Sequence, residues 1–266
     1  MRIATFNLEN LDLPPKAQIP LEIRAEVLRP ALKRLQADVL CLQEVNGQHV
    51  KGHKERVLAA LDALLKGTPY EDYHRATTSA SSGHGVADVH NLVTLSKYPL
   101  HSHREVRNSL IPPLQYIPQT AEPVFGENLN LPLRFERPLL ITEHDLGKNQ
   151  ILTIVNLHLR APLAHQISGQ KIGPFVWKNI SGWAEGFFMS SVQRSGQALE
   201  LRMLLDQMLK SDPQKMVALA GDFNAQDHET PLKIVVGAEE DTGNGLLSSG
   251  SFVVLDRAIS EDRRWS

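Results

Sequence analysis

The chain has 266 residues, 42% of them hydrophobic and 22% charged, enough for one large two-layered α/β domain or two small ones. Its formal net charge of −2 gives no support for tight non-specific nucleic-acid binding, no stretch stays apolar long enough to span a membrane, and the single Cys41 excludes a disulfide framework. Cys41 lies inside an apolar run and reads as a small buried hydrophobe of a reducing, cytoplasmic compartment; Met1 stands so close to the first predicted strand that no signal peptide is expected.

Arg2 to Phe6 is the first predicted strand, running into Asn7-Leu8-Glu9. Residues 21 to 36 carry Val27, Leu28, Ala31, Leu32 and Leu35 at helical spacing, with Pro30 expected to kink or restart the helix. Asp38 to Leu42 is a second strand, ending in Gln43-Glu44. A helix over 53–66 follows from Val57, Leu58, Leu61, Leu64 and Leu65, stopped by Gly67 and Pro69. Residues 71 to 90 read as a strand and a Ser/Gly loop, and Asn91 to Leu95 as another strand. Residues 111 to 138 hold six prolines and no clear period, which predicts a long irregular excursion.

Residues 138 to 160 read as a hairpin: Leu139 to Glu143, a turn at 145–149, then Ile151 to Val155 running into Asn156-Leu157-His158. Residues 165 to 190 look loop-like yet aromatic, with Phe175, Trp177, Trp183, Phe187 and Phe188; core packing is favoured over a substrate lid, and Lys171, Lys178 and Arg194 are taken as a solvated face. The clearest helix spans 193–209. Met216 to Ala220 is a strand ending in Gly221-Asp222-Phe223-Asn224, and Thr230-Pro231 opens a short helix that Gly237 closes. No repeat or linker splits the chain, so a single domain over 1–266 is expected.

Four apolar runs therefore end in polar clusters of ligand type. Residues two apart on a strand share a face, which groups Leu40 and Leu42 with Glu44, Leu152 and Ile154 with Asn156 and His158, and Ala218 and Ala220 with Asp222 and Asn224. A buried face that turns polar is costly unless its groups find partners. Strands laid side by side would collect two carboxylates, several amides and an imidazole at one mouth, a set of hard donors suited to magnesium or manganese. Glycine-rich phosphate loops are missing from the sequence.

Thr5-Phe6-Asn7-Leu8-Glu9-Asn10, Asp38 to Val45, Asn156-Leu157-His158-Leu159 and Gly221-Asp222-Phe223-Asn224-Ala225, with Asn91 to Pro99, resemble the endonuclease/exonuclease/phosphatase superfamily in its own order. The resemblance implies a DNase I-like four-layered α/β/β/α sandwich of two mixed sheets flanked by helices, and magnesium-dependent phosphoester hydrolysis. It makes Glu44 the metal-binding glutamate, with Asn7 beside it. Asp222 becomes the aspartate that handles the attacking water and touches the metal. Asn224 becomes the amide that steadies the phosphate, and His158 the histidine that contacts the phosphate or assists the leaving group. A metal polarises the phosphoryl oxygen, a carboxylate manages the water proton, and neutral donors stabilise developing charge.

The family's closing Ser-Asp-His motif has no counterpart here, and the histidine after Asp222 is His228, at the wrong place in the order. Arg263 to Ser266 resembles the segment upstream of that motif. The expectation is that this chain lacks the last strands and the Asp-His pair. Val45 stands where abasic-site endonucleases carry Thr-Lys, the inositol phosphatase motifs are missing, and the lone cysteine departs from secreted DNases. The reading favoured is a nuclease-like phosphodiesterase, with nucleic acid one candidate among its phosphoester substrates and the choice of substrate left open. A catalytically impaired binding protein and a phosphomonoesterase on a lipid or sugar phosphate remain as alternatives, and the sequence leaves the oligomeric state open.

Overall fold

The computed structural model of the protein describes residues 1–122 and 130–260. In chain order the elements are β1 (Ile3–Leu11), α1 (Leu21–Leu35), β2 (Val39–Val45), α2 (Ala59–Leu65), β3 (His74–Thr77), β4 (Asn91–Ser96), β5 (Leu100–Val106), β6 (Leu114–Tyr116) and β7 (Leu131–Leu133). There follow β8 (Leu139–Asp145), β9 (Ile151–His158), β10 (Lys171–Gly173), β11 (Val176–Trp177), α3 (Ile180–Ser211), β12 (Met216–Asp222) and α4 (Thr230–Val236), before short helical turns up to Ala258. The chain divides into two compact units: 1–107 with 137–158 and 214–222, and 108–136 with 159–213 and 223–260.

The first unit holds two mixed four-stranded sheets, in the orders β1-β2-β4-β3 and β12-β9-β8-β5. Each has a parallel pair at one edge, β1 with β2 and β12 with β9, and antiparallel pairs beyond it. The mixed α/β class with two mixed sheets is as expected from the sequence. Strand alternation sends Leu40 and Leu42, and an irregularity at the strand end Val45, to a core closed by Leu21, Ala25 and Leu32 of α1 and Leu61, Leu64 and Leu65 of α2. The opposite faces meet between the sheets, where Val39 and Cys41 pack against Leu152, Ile154 and Ala220. Cys41 is fully buried there, and burial pushes its thiol up to about 12, which makes it an inert hydrophobe at neutral pH.

One buried bridge keys the two sheets together. Gln43 Nε2 donates to Asn156 Oδ1 (2.9 Å), and Asn156 Nδ2 donates to the Leu42 and Val93 carbonyls (3.3 and 3.0 Å). Both amides are essentially inaccessible to water, so these bonds replace hydration that burial removes.

Several elements differ from the sequence expectation. Helix α1 runs through Pro30 as one element; Glu26 and Pro30 face solvent, so water can satisfy the carbonyl that proline leaves without a donor. Val27 is 71% exposed and lies off the packed stripe, which runs Leu21, Ala25, Leu28, Leu32, Leu35. Helix α2 begins only at Ala59 because Gln48 pairs with Val57 in a bridge and its side chain accepts the Ala60 N–H (3.0 Å). The irregular excursion over 111–138 contains the antiparallel pair β6 and β7, and its residues 123–129 lie outside the described ones.

In the second unit the loop expected at 165–190 is the β10–β11 hairpin followed by the first third of α3. Asn179 caps α3 by accepting the Gly182 N–H (2.7 Å). Leu133, Ile167 and Met189 form a small core with Tyr116, Leu131 and Val192 around it, and α4 packs on α3. Glu229 rather than Thr230 takes the cap position of α4, with Gly237 at φ 58° closing it as expected. Leu255–Ala258 is a 3₁₀ turn, and 261–266 lie outside the described residues.

His144 in β8 is buried with Nε2 on Thr142 Oγ1 (2.8 Å) and no partner for Nδ1 among the described residues. Burial lowers its pKa from 6.5 to about 4. Below pH 6.5 the unfolded chain takes up a proton that the folded ring refuses. This contribution to stability is therefore complete above pH 6.5 and is lost as the pH falls towards 4. The loss is on the order of 3 kcal/mol. Urea denaturation at pH 7 and at pH 4.5 should show the drop, and His144→Gln should reduce the difference between the two pH values.

Candidate active site

The two parallel edge pairs bring four of the expected residues together within the first unit. Asp222 and His158 are direct register partners at the ends of β12 and β9, and Asn7 pairs with Gln43 across β1 and β2. Asn7 Nδ2 donates to both carboxylates, at 3.1 Å to Glu44 Oε1 and 3.0 Å to Asp222 Oδ2. His158 Nε2 lies 3.7 Å from the same Glu44 oxygen and 3.6 Å from the same Asp222 oxygen. The backbone N–H of Asn10 holds the other Glu44 oxygen (3.0 Å), and Asn7 Oδ1 accepts the Glu9 N–H (2.9 Å).

Glu44 reaches this cluster by a route that alternation does not foresee. Leu40 and Leu42 face the helix-covered core, and a regular strand would send Glu44 there too. The β2–β4 register shifts between Leu42 and Val45, and Glu44 adopts φ 58°. This bulge turns the carboxylate back towards β1. Strand β1 bulges in step between Asn7 and Leu11, with Glu9 at φ 46° and Asn10 at φ 54°. Left-handed backbone at non-glycine residues costs ~1–3 kcal/mol each, a strain concentrated where the polar groups meet. The other two strands follow alternation as expected: Leu152, Ile154 and Asn156 precede His158 on the inter-sheet face, and Ala220 precedes Asp222.

His158 is nearly inaccessible, and its pKa falls to about 4. Burial is the largest cause and the positive charge of Arg137 the next; Asp222 and Glu44 pull the other way, and His90 adds a smaller lowering. The ring is therefore neutral at pH 7. Its Nδ1 has no hydrogen-bond partner among the described residues, so an Nε2–H directed at the two carboxylate oxygens is the tautomer that suits the contacts.

Arg137 and His90 are the groups that sequence reading valued too little. Arg137 stands just before β8 with no motif around it. His90 Nε2 lies 3.0 Å from Asn10 Oδ1, next to the N–H that holds Glu44. Glu9 is exposed, as solvation would have it, and His84 is a surface residue beside Glu55.

Within the second unit, Asn224 takes φ 47° and its Nδ2 donates to the Leu159 carbonyl (3.0 Å). It thus leaves the strand face that alternation assigned to it. Arg194 is 7% exposed rather than part of a solvated face; its Nη1 donates to the Asn224 carbonyl (2.7 Å). Gln197 accepts the Arg160 N–H (2.8 Å), and Arg160 pairs with Glu136. One face of α3 therefore fixes the residues that immediately follow β9 and β12. His228 is an exposed residue of this unit beside Asp227.

The sequence matches the family model described as Endonuclease/Exonuclease/phosphatase family over residues 4–258. The chain belongs to that family. Among curated proteins no sequence matches it. Solved structures similar to this family member include a mannosyl-6-phosphatase of Bacteroides thetaiotaomicron (14% identity, TM-score 0.52, covering 88% of this chain and 69% of that one). A functionally unknown conserved protein of Enterococcus faecalis gives 16% identity and TM-score 0.50 over 88% and 71%. Truncated Caenorhabditis elegans TDP2 gives 16% and 0.46 over 85% and 62%. This chain thus spans between 62% and 71% of the length of these three.

Glu44 and Asp222 offer two like-charged oxygens bridged by one neutral amide and faced by one neutral imidazole. Such a set is short of positive charge and suits a hard divalent cation. Among the described residues no group of three or more His, Cys, Asp or Glu side chains is placed to hold a metal ion, so the protein offers at most the two carboxylates. One or two carboxylates with retained water are a common way for a protein to hold a small, hard divalent cation.

Proposed function

We propose that this family member is a divalent-metal-dependent phosphoesterase, acting as a nuclease-like phosphodiesterase. The observation that carries the reading is the double donation from Asn7 Nδ2 to Glu44 and Asp222, with the neutral His158 facing both. Glu44 and Asp222, with Asn7 beside them, would hold magnesium, or manganese in its place. When bound, the ion polarises the phosphoryl oxygen and offsets its charge. Asp222 orients the attacking water and accepts its proton. His158 presents Nε2–H to a phosphate or leaving-group oxygen without adding a competing charge. Asn224, two residues beyond Asp222, is assigned the amide that steadies the phosphate.

The test is hydrolysis of bis-(p-nitrophenyl) phosphate, p-nitrophenyl phosphate and a labelled single-stranded oligonucleotide. Each is run with magnesium, manganese or EDTA, for the chain and its Glu44→Ala variant. EDTA-sensitive diester cleavage that the variant loses is the expected result. Preference for the monoester would move the substrate class towards that of a phosphatase. Silence with both metals in a folded chain would overturn the enzyme reading in favour of a binding role.

A further inference from the structure

Residues 161 to 184 contain no Asp or Glu, in a chain that has 30 of them, and do contain Lys171, Lys178 and His165. This acid-free stretch builds the β10–β11 hairpin and the first turn of α3. Lys171 pairs with Trp177 and Gly173 with Val176, so Pro174 and Phe175 form the tip. Phe175 is 95% exposed, Ile180 81% and Ile172 72%, with Val176 and Trp183 about half exposed beside them.

The tip is held in place. A Cβ on Gly186 of α3 would stand only 3.0 Å from the Trp177 ring, so the hairpin packs directly on the helix there. Lys178 N–H donates to the Gln170 carbonyl (2.9 Å), and Asn179, which caps α3, also donates to the Gln170 side chain (2.8 Å). Lys171 Nζ lies 5.0 Å from the Trp177 ring centroid, and Lys178 pairs with Glu122. A braced cluster of exposed aliphatic and aromatic side chains, edged by lysines, marks an interaction surface.

We propose that this hairpin and the start of α3 form a docking surface for an anionic lipid bilayer. Ile172, Phe175, Val176 and Ile180 are suited to the boundary between headgroups and acyl chains. Trp183 and the lysine stems match the interfacial zone, where amphipathic side chains keep their polar ends in water. Charge complementarity points the same way: the stretch itself carries no carboxylate, and although Glu122 offsets Lys178, Lys171 remains to face an anionic leaflet. A single-stranded nucleic acid fits less well, because the three aliphatic residues offer no stacking. In a two-fold contact with a second copy, the acid-free stretch would meet its own like charge. No helix among the described residues is long and apolar enough to cross a membrane.

The test is cosedimentation of the full chain with vesicles of phosphatidylcholine containing about one third phosphatidylserine. Pure phosphatidylcholine vesicles and the Ile172→Ser/Phe175→Ser double variant serve as comparisons. Both replaced residues are exposed, so equal thermal melts will show that the variant is folded. The expected result is binding to the anionic vesicles that weakens with added salt and falls at least about tenfold in the double variant. Wild-type chain that stays in the supernatant, or a double variant that binds as well as wild type, would overturn the proposal. So would light scattering showing a dimer that the double variant disrupts.

Discussion

Asp222→Asn is expected to lower metal-supported turnover by ~10²–10⁴-fold and, in metal-free buffer, to raise the melting temperature of the chain. Asp222 Oδ2 and Glu44 Oε1 converge on one Asn7 amide, with the neutral His158 ring facing them. Without a cation the two negative groups repel. The replacement amide can turn its carbonyl to the Asn7 N–H, which preserves the hydrogen bond and removes one charge. Activity and stability should therefore move in opposite directions, as expected where a site is strained for function. Steady-state hydrolysis with magnesium, paired with a thermal melt in EDTA, measures both. If activity and stability fall together, Asp222 is a structural residue and its assigned role is wrong.

Gly221→Ala is expected to cost about 3 kcal/mol or more in unfolding free energy. Gly221 has φ 155°, and a Cβ there would stand 2.1 Å from the Leu157 carbonyl oxygen and 2.8 Å from the Leu157 nitrogen. All of these neighbours are backbone, so the clash can be relieved only by prising β12 from β9. That would separate Asp222 from His158, and hydrolysis should fail in the fraction that remains folded. Gly147→Ala is the control. Gly147 also has a positive φ, 80°, but open space where the methyl would go, so the cost there is conformational strain alone, about 1 kcal/mol. Equal losses in the two variants, read from urea denaturation, would refute the clash.

The four ligand-bearing strands were legible because short β-branched and aliphatic runs have few other fates, and because each ends in a polar group that cannot stay on a dry face. Asn156, His158 and Asp222 then followed from alternation. Glu44 was recognised as a site residue on a strand argument that fails for it: its neighbours Leu40 and Leu42 point to the other core, and only a bulge returns its carboxylate. A bulge leaves little trace in periodicity, since it depends on backbone bonds made with other strands. The aromatic stretch failed for a different reason. Gly182, Gly186 and Gly196 lower the helix propensity of α3, yet each lies where Gln170, His165 and Trp177, or Phe135 comes close. Close packing of other segments favours that helix, and its exposed Trp183, Phe187 and Phe188 belong to no buried stripe that a sequence pattern could display. Arg137 is felt at His158 through its charge, a relation between distant positions that no local spacing encodes.

The bridge from Gln43 to Asn156 gives the paired sheets a mechanical character. Sliding one sheet over the other by a single residue, about 3.3 Å, would break three buried hydrogen bonds at once, with no water to replace the lost partners. Side chains of Val, Leu and Ile alone would permit such slippage far more readily. The latch lies one residue before Glu44 and two before His158, so it resists shear closest to where the strand ends must stay aligned. Tension along the strands meets a lock, whereas peeling the edge strands meets only a ladder that opens one rung at a time.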